Sequence, residues 1–226
     1  SIGLIASETE KQSTPNSIID GLFGKVKSRQ FPQGFSPKKV EKINVGKLIR
    51  LLPHNQEIYN EITNEMQHNL KGYVVQPTGT GKSYLIGKYI QDHIDEKMIL
   101  VAPNKIIIDS VKSITGKLPA NVIFQTYQYL SRNIDRTKIK HILIDEFHHA
   151  GAFTWSKAIH ELVLNADNPH VLGFSATPER DNDDIDVASM FFGNNCIHSL
   201  SLFECWDKSI LPMPKLVQSF IEVDYM

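Results

Sequence analysis

Short apolar runs alternate with longer stretches in which apolar residues recur every three to four positions. Tyr73–Val75, Met98–Val101, Val122–Phe124, His141–Ile144 and Val171–Phe174 are β-branched or apolar throughout and read as five buried strands. Between them the period lengthens. Leu85, Ile86, Tyr89, Ile90 and Ile94 mark a helix after the first run, and Ile107, Val111 and Ile114 mark one over 104–114. Ile159, Leu162 and Val163 mark another over 156–164. Ahead of the first strand, Ile58, Ile62 and Met66 trace one face of a helix, and Gly72 closes the connection. Strands without polar alternation, each followed by a helix, predict an α/β fold with a mostly parallel central sheet covered on both faces. In such sheets ligands bind at the carboxyl ends of the strands.

Residues 1–47 break this rhythm. Gly21, Gly24, Pro32, Gly34 and Pro37 interrupt any long period, so a small N-terminal extension precedes the α/β unit. Lysines and arginines outnumber acids between Lys25 and Arg50, with Phe23, Phe31 and Phe35 interleaved. Such a stretch can meet nucleic-acid phosphates and stack bases. The preferred reading is plainer: a solvated face on an accessory unit whose aromatics pack inward.

Composition changes little. The 226 residues are 41% hydrophobic and 22% charged, with a net charge of −1, so bulk charge argues for no nucleic-acid partner and any such site must be local. A chain of this length buries roughly 70% of its unfolded surface. Cys196 and Cys205 do not form a C-x-x-C pair and fit buried thiols in a reducing compartment better than a disulfide framework or zinc site. No apolar run reaches a membrane-spanning length. The expectation is a cytoplasmic, soluble protein, and the opening Ser1-Ile2 without Met is read as a fragment or a trimmed start.

The chemistry begins where the first strand ends. Gln76-Pro77-Thr78-Gly79-Thr80-Gly81-Lys82-Ser83 joins a strand to a helix through a glycine-bearing turn, the context a phosphate-binding loop requires. Backbone N–H groups and the helix N-terminus can converge there on an anion. Lys82 is placed to reach the β- and γ-phosphates, and Ser83 to hold Mg²⁺ through its hydroxyl. The usual pattern opens on Gly; here Gln76 stands in that position. Twenty residues upstream of Gln76, Gln56 carries an amide that can read an adenine edge with donor and acceptor together.

The fourth strand ends in Asp145-Glu146-Phe147-His148-His149. Adjacent carboxylates after a strand divide naturally: Asp145 faces the metal, and Glu146 orients and deprotonates a water for attack on the γ-phosphate. The histidine pair is a poor zinc candidate, because neither an H-E-x-x-H helix nor a Cys/His partner set accompanies it.

Gly79-Thr80-Gly81-Lys82-Ser83, then Asp145-Glu146-Phe147-His148, then Ser175-Ala176-Thr177-Pro178, in that order, resemble the first motor domain of superfamily 2 helicases and translocases. The D-E-x-H form with His149-Ala150, and the continuation Glu179-Arg180, look most like the type III restriction enzyme motor branch. The resemblance covers about residues 48 to 224. It implies a RecA-like P-loop NTPase, three layers α/β/α, with the ATP-binding domain over 48–210 and a connector over 211–226. By position it implies an adenine-reading role for Gln56, a phosphate loop from Thr78 to Ser83, Asp145 organising Mg²⁺ and Glu146 as base. Ser175 and Thr177 would couple the nucleotide to the nucleic-acid site, with His148 bonding toward them. Pro103, Lys105 and Thr126 would contact one strand's phosphates. The implied partners are nucleic acid, DNA ahead of RNA, and a second RecA-like domain whose Q-x-x-G-R-x-x-R motif is not found in these 226 residues; no membrane is implied. The implied activity is ATP hydrolysis driving a helicase or translocase. The alternative is a nucleotide-gated nucleic-acid-binding module without turnover. A GTPase would need N-K-x-D, and Asn104-Lys105-Ile106-Ile107 has Ile in place of that Asp. A small-molecule kinase would leave Ser175-Ala176-Thr177 unexplained.

Overall fold

Six parallel strands form one sheet in the order β3-β2-β4-β5-β1-β6. The computed structural model describes residues 48–130, 139–177 and 186–214. The readings for 1–47, 178–185 and 215–226, including Pro178 to Arg180 and most of the connector, lie outside them. The strands are β1 Lys71–Val75, β2 Met98–Ala102, β3 Val122–Thr126, β4 His141–Asp145, β5 His170–Ser175 and β6 Cys196–Ser199. The helices are α1 Pro53–His68, α2 Lys82–Asp92, α3 Lys105–Thr115, α4 Tyr127–Leu130, α5 Phe153–Asn165, α6 Val187–Phe192 and α7 Leu202–Asp207. A 3-10 helix spans Phe147–Gly151 directly after β4.

Because strand side chains alternate between faces, one apolar run feeds two cores. Tyr73, Val75, Ile99, Val101, Ile142, Ile144 and Val171 pack on one face with Tyr127, Leu130, Ile159, Leu162 and Phe192. Val74, Met98, Leu100, Leu143, Leu172 and Phe174 pack on the other with Ile58, Ile62, Leu85, Ile86, Tyr89, Ile90 and Val111. This is the three-layer α/β/α, RecA-like architecture, and every strand is parallel rather than most.

Two departures from the periodicity bear on function. On α3 the buried residues are Ile108, Val111 and Thr115, while Ile107 and Ile114 are half-buried. Those two line the cleft beside the glycine turn after β1, so the apolar stripe is split between core and cleft. The strand β6 is a four-residue edge strand whose register against β1 shifts between Tyr73 and Val74. Asn195 secures its start by donating to Lys71 O at 2.8 Å. Of the two cysteines expected to be buried, only Cys205 is; Cys196 is exposed on this edge strand.

Gly173, in the middle of β5, lies under the ring of Phe192; an added Cβ would come within 2.3 Å of Cζ and 2.8 Å of Cε1. Both residues are buried. Gly173→Ala therefore overpacks the core, and we expect a loss of about 1–3 kcal/mol. The urea midpoint should fall at unchanged slope.

Candidate nucleotide and nucleic-acid site

The strand order sets the site. β5 lies between β1 and β4, so Ser175 at its end sits between the turn after β1 and the carboxylates after β4. That turn needs its glycines: Gly79 and Gly81 have φ of +89° and +99°, in the left-handed region that a Cβ disfavours. A Cβ on Gly81 would also lie 2.6 Å from Asn55 Nδ2.

The turn is braced from behind. Asn55 Nδ2 donates to Thr80 O at 2.8 Å, and His54 Nε2 lies 3.1 Å from the same carbonyl. Gln76 Nε2 donates to Asn55 Oδ1 at 3.2 Å. Thr80 Oγ1 donates to Pro77 O at 2.8 Å. Gln76 is completely buried and serves as a strut, since its backbone N–H also donates to Ser175 O at 2.9 Å. A glycine there would keep that backbone bond and lose the side-chain amide that braces Asn55. Gln56, by contrast, is exposed and donates to Asn60 Oδ1; the structure does not bring it to the turn.

Lys82 opens α2 and is buried. Its Nζ donates to Gln76 O at 2.9 Å and stands 3.6 Å from Glu146 Oε1. Glu146 adopts φ +48°, ψ 54° at the head of the 3-10 helix, a left-handed backbone unusual for Glu. That turn aims its carboxylate across the cleft, where Ala176 N–H donates to Oε2 at 3.3 Å. His148 Nδ1 is 3.5 Å from Glu146 Oε2 and 2.8 Å from Ser175 Oγ. Ser175 Oγ in turn donates to Thr177 O at 2.6 Å. A hydrogen-bonded chain thus links His148, Ser175 and Thr177, with the Glu146 carboxylate beside the imidazole.

Asp145 is buried, and its Oδ1 accepts from Glu146 N–H at 3.0 Å. Burial, with the charge of Glu146 beside it, pushes its carboxyl up to about 7; Lys82 and the N–H bond pull the other way. A divalent cation against Asp145 would favour the ionised form. Ser83 lines the same cavity of 340 Å³, together with Thr78, Gly79, Lys82 and Glu146. One hydroxyl and one carboxylate are the hard oxygen donors Mg²⁺ takes from protein when phosphates and water supply the rest, so these residues fit it. A second cavity of 350 Å³ continues on the far side of the turn, between Arg50, Leu52, His54, Asn55, Tyr84 and Ile210.

The remaining predicted residues lie at neighbouring strand ends. Pro103 follows β2, and Lys105 is exposed at the start of α3, whose cap Asn104 accepts from Ile107 N–H. Thr126 ends β3 half-buried. The next residue, Tyr127, is buried and donates from its hydroxyl to Asp145 O at 3.0 Å. That bond ties the β3 end to the carboxylate turn, and periodicity alone gave no sign of it.

A family model for the type III restriction enzyme, res subunit, matches residues 48–117 and 110–180, more than half of the chain. The chain belongs to this family. Its fold is shared with helicase domains of known structure. Among solved structures, the Hef helicase domain of Pyrococcus furiosus is similar with a TM-score of 0.53 and 20% identity, covering 65% of this chain and 37% of that one. A nuclease-deletion mutant of the Type ISP restriction-modification enzyme LlaGI, solved with a DNA substrate mimic, gives 0.50 and 13%, covering 71% and 21%. The res-subunit chain thus spans about a third and a fifth of those two proteins. No curated protein sequence matches it significantly. Among the described residues, no helix is long and apolar enough to cross a membrane.

Proposed function

We propose that the chain is the ATP-binding first motor domain of an ATP-dependent nucleic-acid translocase or helicase, completed by a second RecA-like domain. The carrying observation is the approach of Lys82 Nζ to 3.6 Å from Glu146 Oε1 over a cavity that Ser83 and Asp145 also line. A cation for the phosphates, oxygens for Mg²⁺ and a base for water stand within one pocket. The triphosphate lies along Thr78–Ser83, held by backbone N–H groups and by Lys82, which exchanges its Gln76 carbonyl for phosphate oxygens. Ser83 and Asp145 hold Mg²⁺, which neutralises phosphate charge when bound. Glu146 takes the proton of the attacking water on its carboxylate. The adenine occupies the cavity beside His54, Asn55 and Tyr84, with Gln56 outside its lining.

Nucleic acid crosses the ends of β2 and β3 at Pro103, Lys105 and Thr126, and DNA is the favoured substrate, as the restriction-enzyme family suggests. Through the chain His148–Ser175–Thr177, the state of the γ-phosphate reaches the segment after β5. Residues 1–47 form an accessory extension, 48–210 the motor domain and 211–226 the connector to its partner domain. The protein works in the cytoplasm.

The test is nucleotide binding by the 226-residue chain, with a fluorescent ATP analogue competed by ATP and by GTP. We expect ATP to compete better, and Lys82→Ala to weaken binding about 100-fold or more, since it removes a buried cation facing the phosphates. Equal binding by Lys82→Ala would overturn the assignment.

A further inference from the structure

At the opposite end of α2 from Lys82, three potential metal ligands converge. His93 caps the C-terminus of α2, Glu96 lies in the loop before β2, and His141 is the first residue of β4. One ligand atom from each lies within 4.8 Å of the other two. His141 Nε2 is 3.0 Å from Glu96 Oε2, and His93 Nδ1 is 3.8 Å from Glu96 Oε1. An 11-residue helix separates this cluster from the phosphate loop by roughly 16 Å.

We propose that His93, Glu96 and His141 form a binding site for a divalent late transition metal, Zn²⁺ foremost, at the sheet end remote from the nucleotide.

Four features make this a built site. His141 is only 2% exposed, and its other nitrogen, Nδ1, lies 3.0 Å from the hydroxyl of buried Tyr89. A metal-binding imidazole needs such an outer partner to fix its tautomer and ring plane. As it stands, Nε2–H donates to Glu96; on coordination the proton moves to Nδ1 and is donated to Tyr89 Oη. Second, the loop carrying Glu96 is pinned: Asn121 Nδ2 donates to Ile94 O at 2.7 Å and to Glu96 O at 2.8 Å. Third, α2 has no basic residue in its last turn, so its C-terminal carbonyls present partial negative charge that a cation at His93 would balance. Fourth, His170 stacks on His141, with ring centroids 5.3 Å apart and planes 16° apart, which holds the His141 ring plane; among the described residues the buried Nδ1 of His170 has no hydrogen-bond partner. A simple Tyr–His–Glu relay does not account for the ring of His93, 4.5 Å from that of His141.

Two imidazoles and one carboxylate, with a water completing the shell, are a recurrent Zn²⁺ donor set, and nitrogen ligands disfavour Mg²⁺. The ion would clip the end of α2, the loop after it and the start of β4. These are the remote ends of the elements that carry Lys82 and Asp145.

The experiment titrates the metal-free 226-residue chain with Co²⁺, following visible absorption, then displaces it with Zn²⁺. One equivalent should bind, resist millimolar Mg²⁺ and leave on Zn²⁺ addition. The double variant His93→Ala, Glu96→Gln changes only partly exposed side chains. It should bind about 100-fold more weakly or worse, and its melting temperature without metal should match the parent. Saturating Zn²⁺ should raise the melting temperature of the parent by roughly 5 °C and leave the variant unmoved. Equal Co²⁺ binding by parent and variant, loss of binding in His148→Ala, His149→Ala instead, or no binding below millimolar metal overturns the site.

Discussion

Joined to a second motor domain, the chain should turn ATP over roughly 10³–10⁵ times faster than it does alone. The cleft explains why. Lys82 is the cation that the cavity beside Glu146 presents, and among the described residues lining that cavity there is no arginine. Arg50 lies on the other cavity, across the turn. In-line phosphoryl transfer spreads charge over the γ-phosphoryl oxygens, and one lysine with Mg²⁺ leaves much of it unopposed. An arginine delivered from outside is worth about 4–7 kcal/mol of barrier on that scale. The comparison is steady-state phosphate release, with saturating DNA, by the 226-residue chain and by a protein extended through the second domain. Binding of a non-hydrolysable analogue to the short chain should remain intact. Turnover by the short chain on the order of tens per second would remove the need for a completing domain.

The sheet was legible because its strands face helices on both sides. A strand such as Met98–Val101 has no polar position to spare, and its composition announces it. Cys196–Ser199 is hidden for the opposite reason. As an edge strand it keeps Cys196 and Ser199 exposed, and its place comes from Asn195 and the β1 backbone rather than from its own pattern. The short helices α6 and α7 did carry signals: Asp186 caps the first by accepting from Ser189 N–H, and Ser201 with Glu204 forms a capping box on the second. Runs of six residues are too short for periodicity to speak.

Motif chemistry singled out Lys82, Ser83, Asp145 and Glu146, and the fold gathers them around one cavity because they follow β1 and β4 on either side of β5. It read less well behind the turn. The buried face of α1 runs through Ile58, Tyr59, Ile62 and Met66; three residues before Ile58 comes Asn55, not Gln56. Helical geometry therefore turns Asn55 to the phosphate loop and Gln56 to solvent, a distinction already present in the spacing. The pairing of Tyr127 with the Asp145 carbonyl had no such cue, because adjacency of β2 to both β3 and β4 brings those strand ends near one another.

Glu146→Gln, made in the two-domain protein, should lower nucleic-acid-stimulated kcat by about 10²–10⁴-fold and leave ATP affinity within about tenfold of the parent. The amide keeps the side chain's shape and can still accept from Ala176 N–H, so the left-handed turn at Glu146 is retained. What disappears is the capacity to take a proton from water. Binding is spared for an electrostatic reason. Glu146 stands 3.6 Å from Lys82 and competes with phosphate for it, and its charge disfavours ionised Asp145. Removing that charge frees the lysine for the phosphates and makes Asp145 a better metal ligand, so the nucleotide keeps its hold. The expected signature is a fall in kcat at nearly constant nucleotide Kd, together with continued nucleic-acid binding in the presence of ATP. A parallel Asp145→Asn variant should instead raise the Mg²⁺ requirement, which separates the base from the metal ligand. Undiminished turnover by Glu146→Gln would show that another group handles the water proton. Turnover absent from the parent as well would leave a nucleotide-gated binding module as the better description.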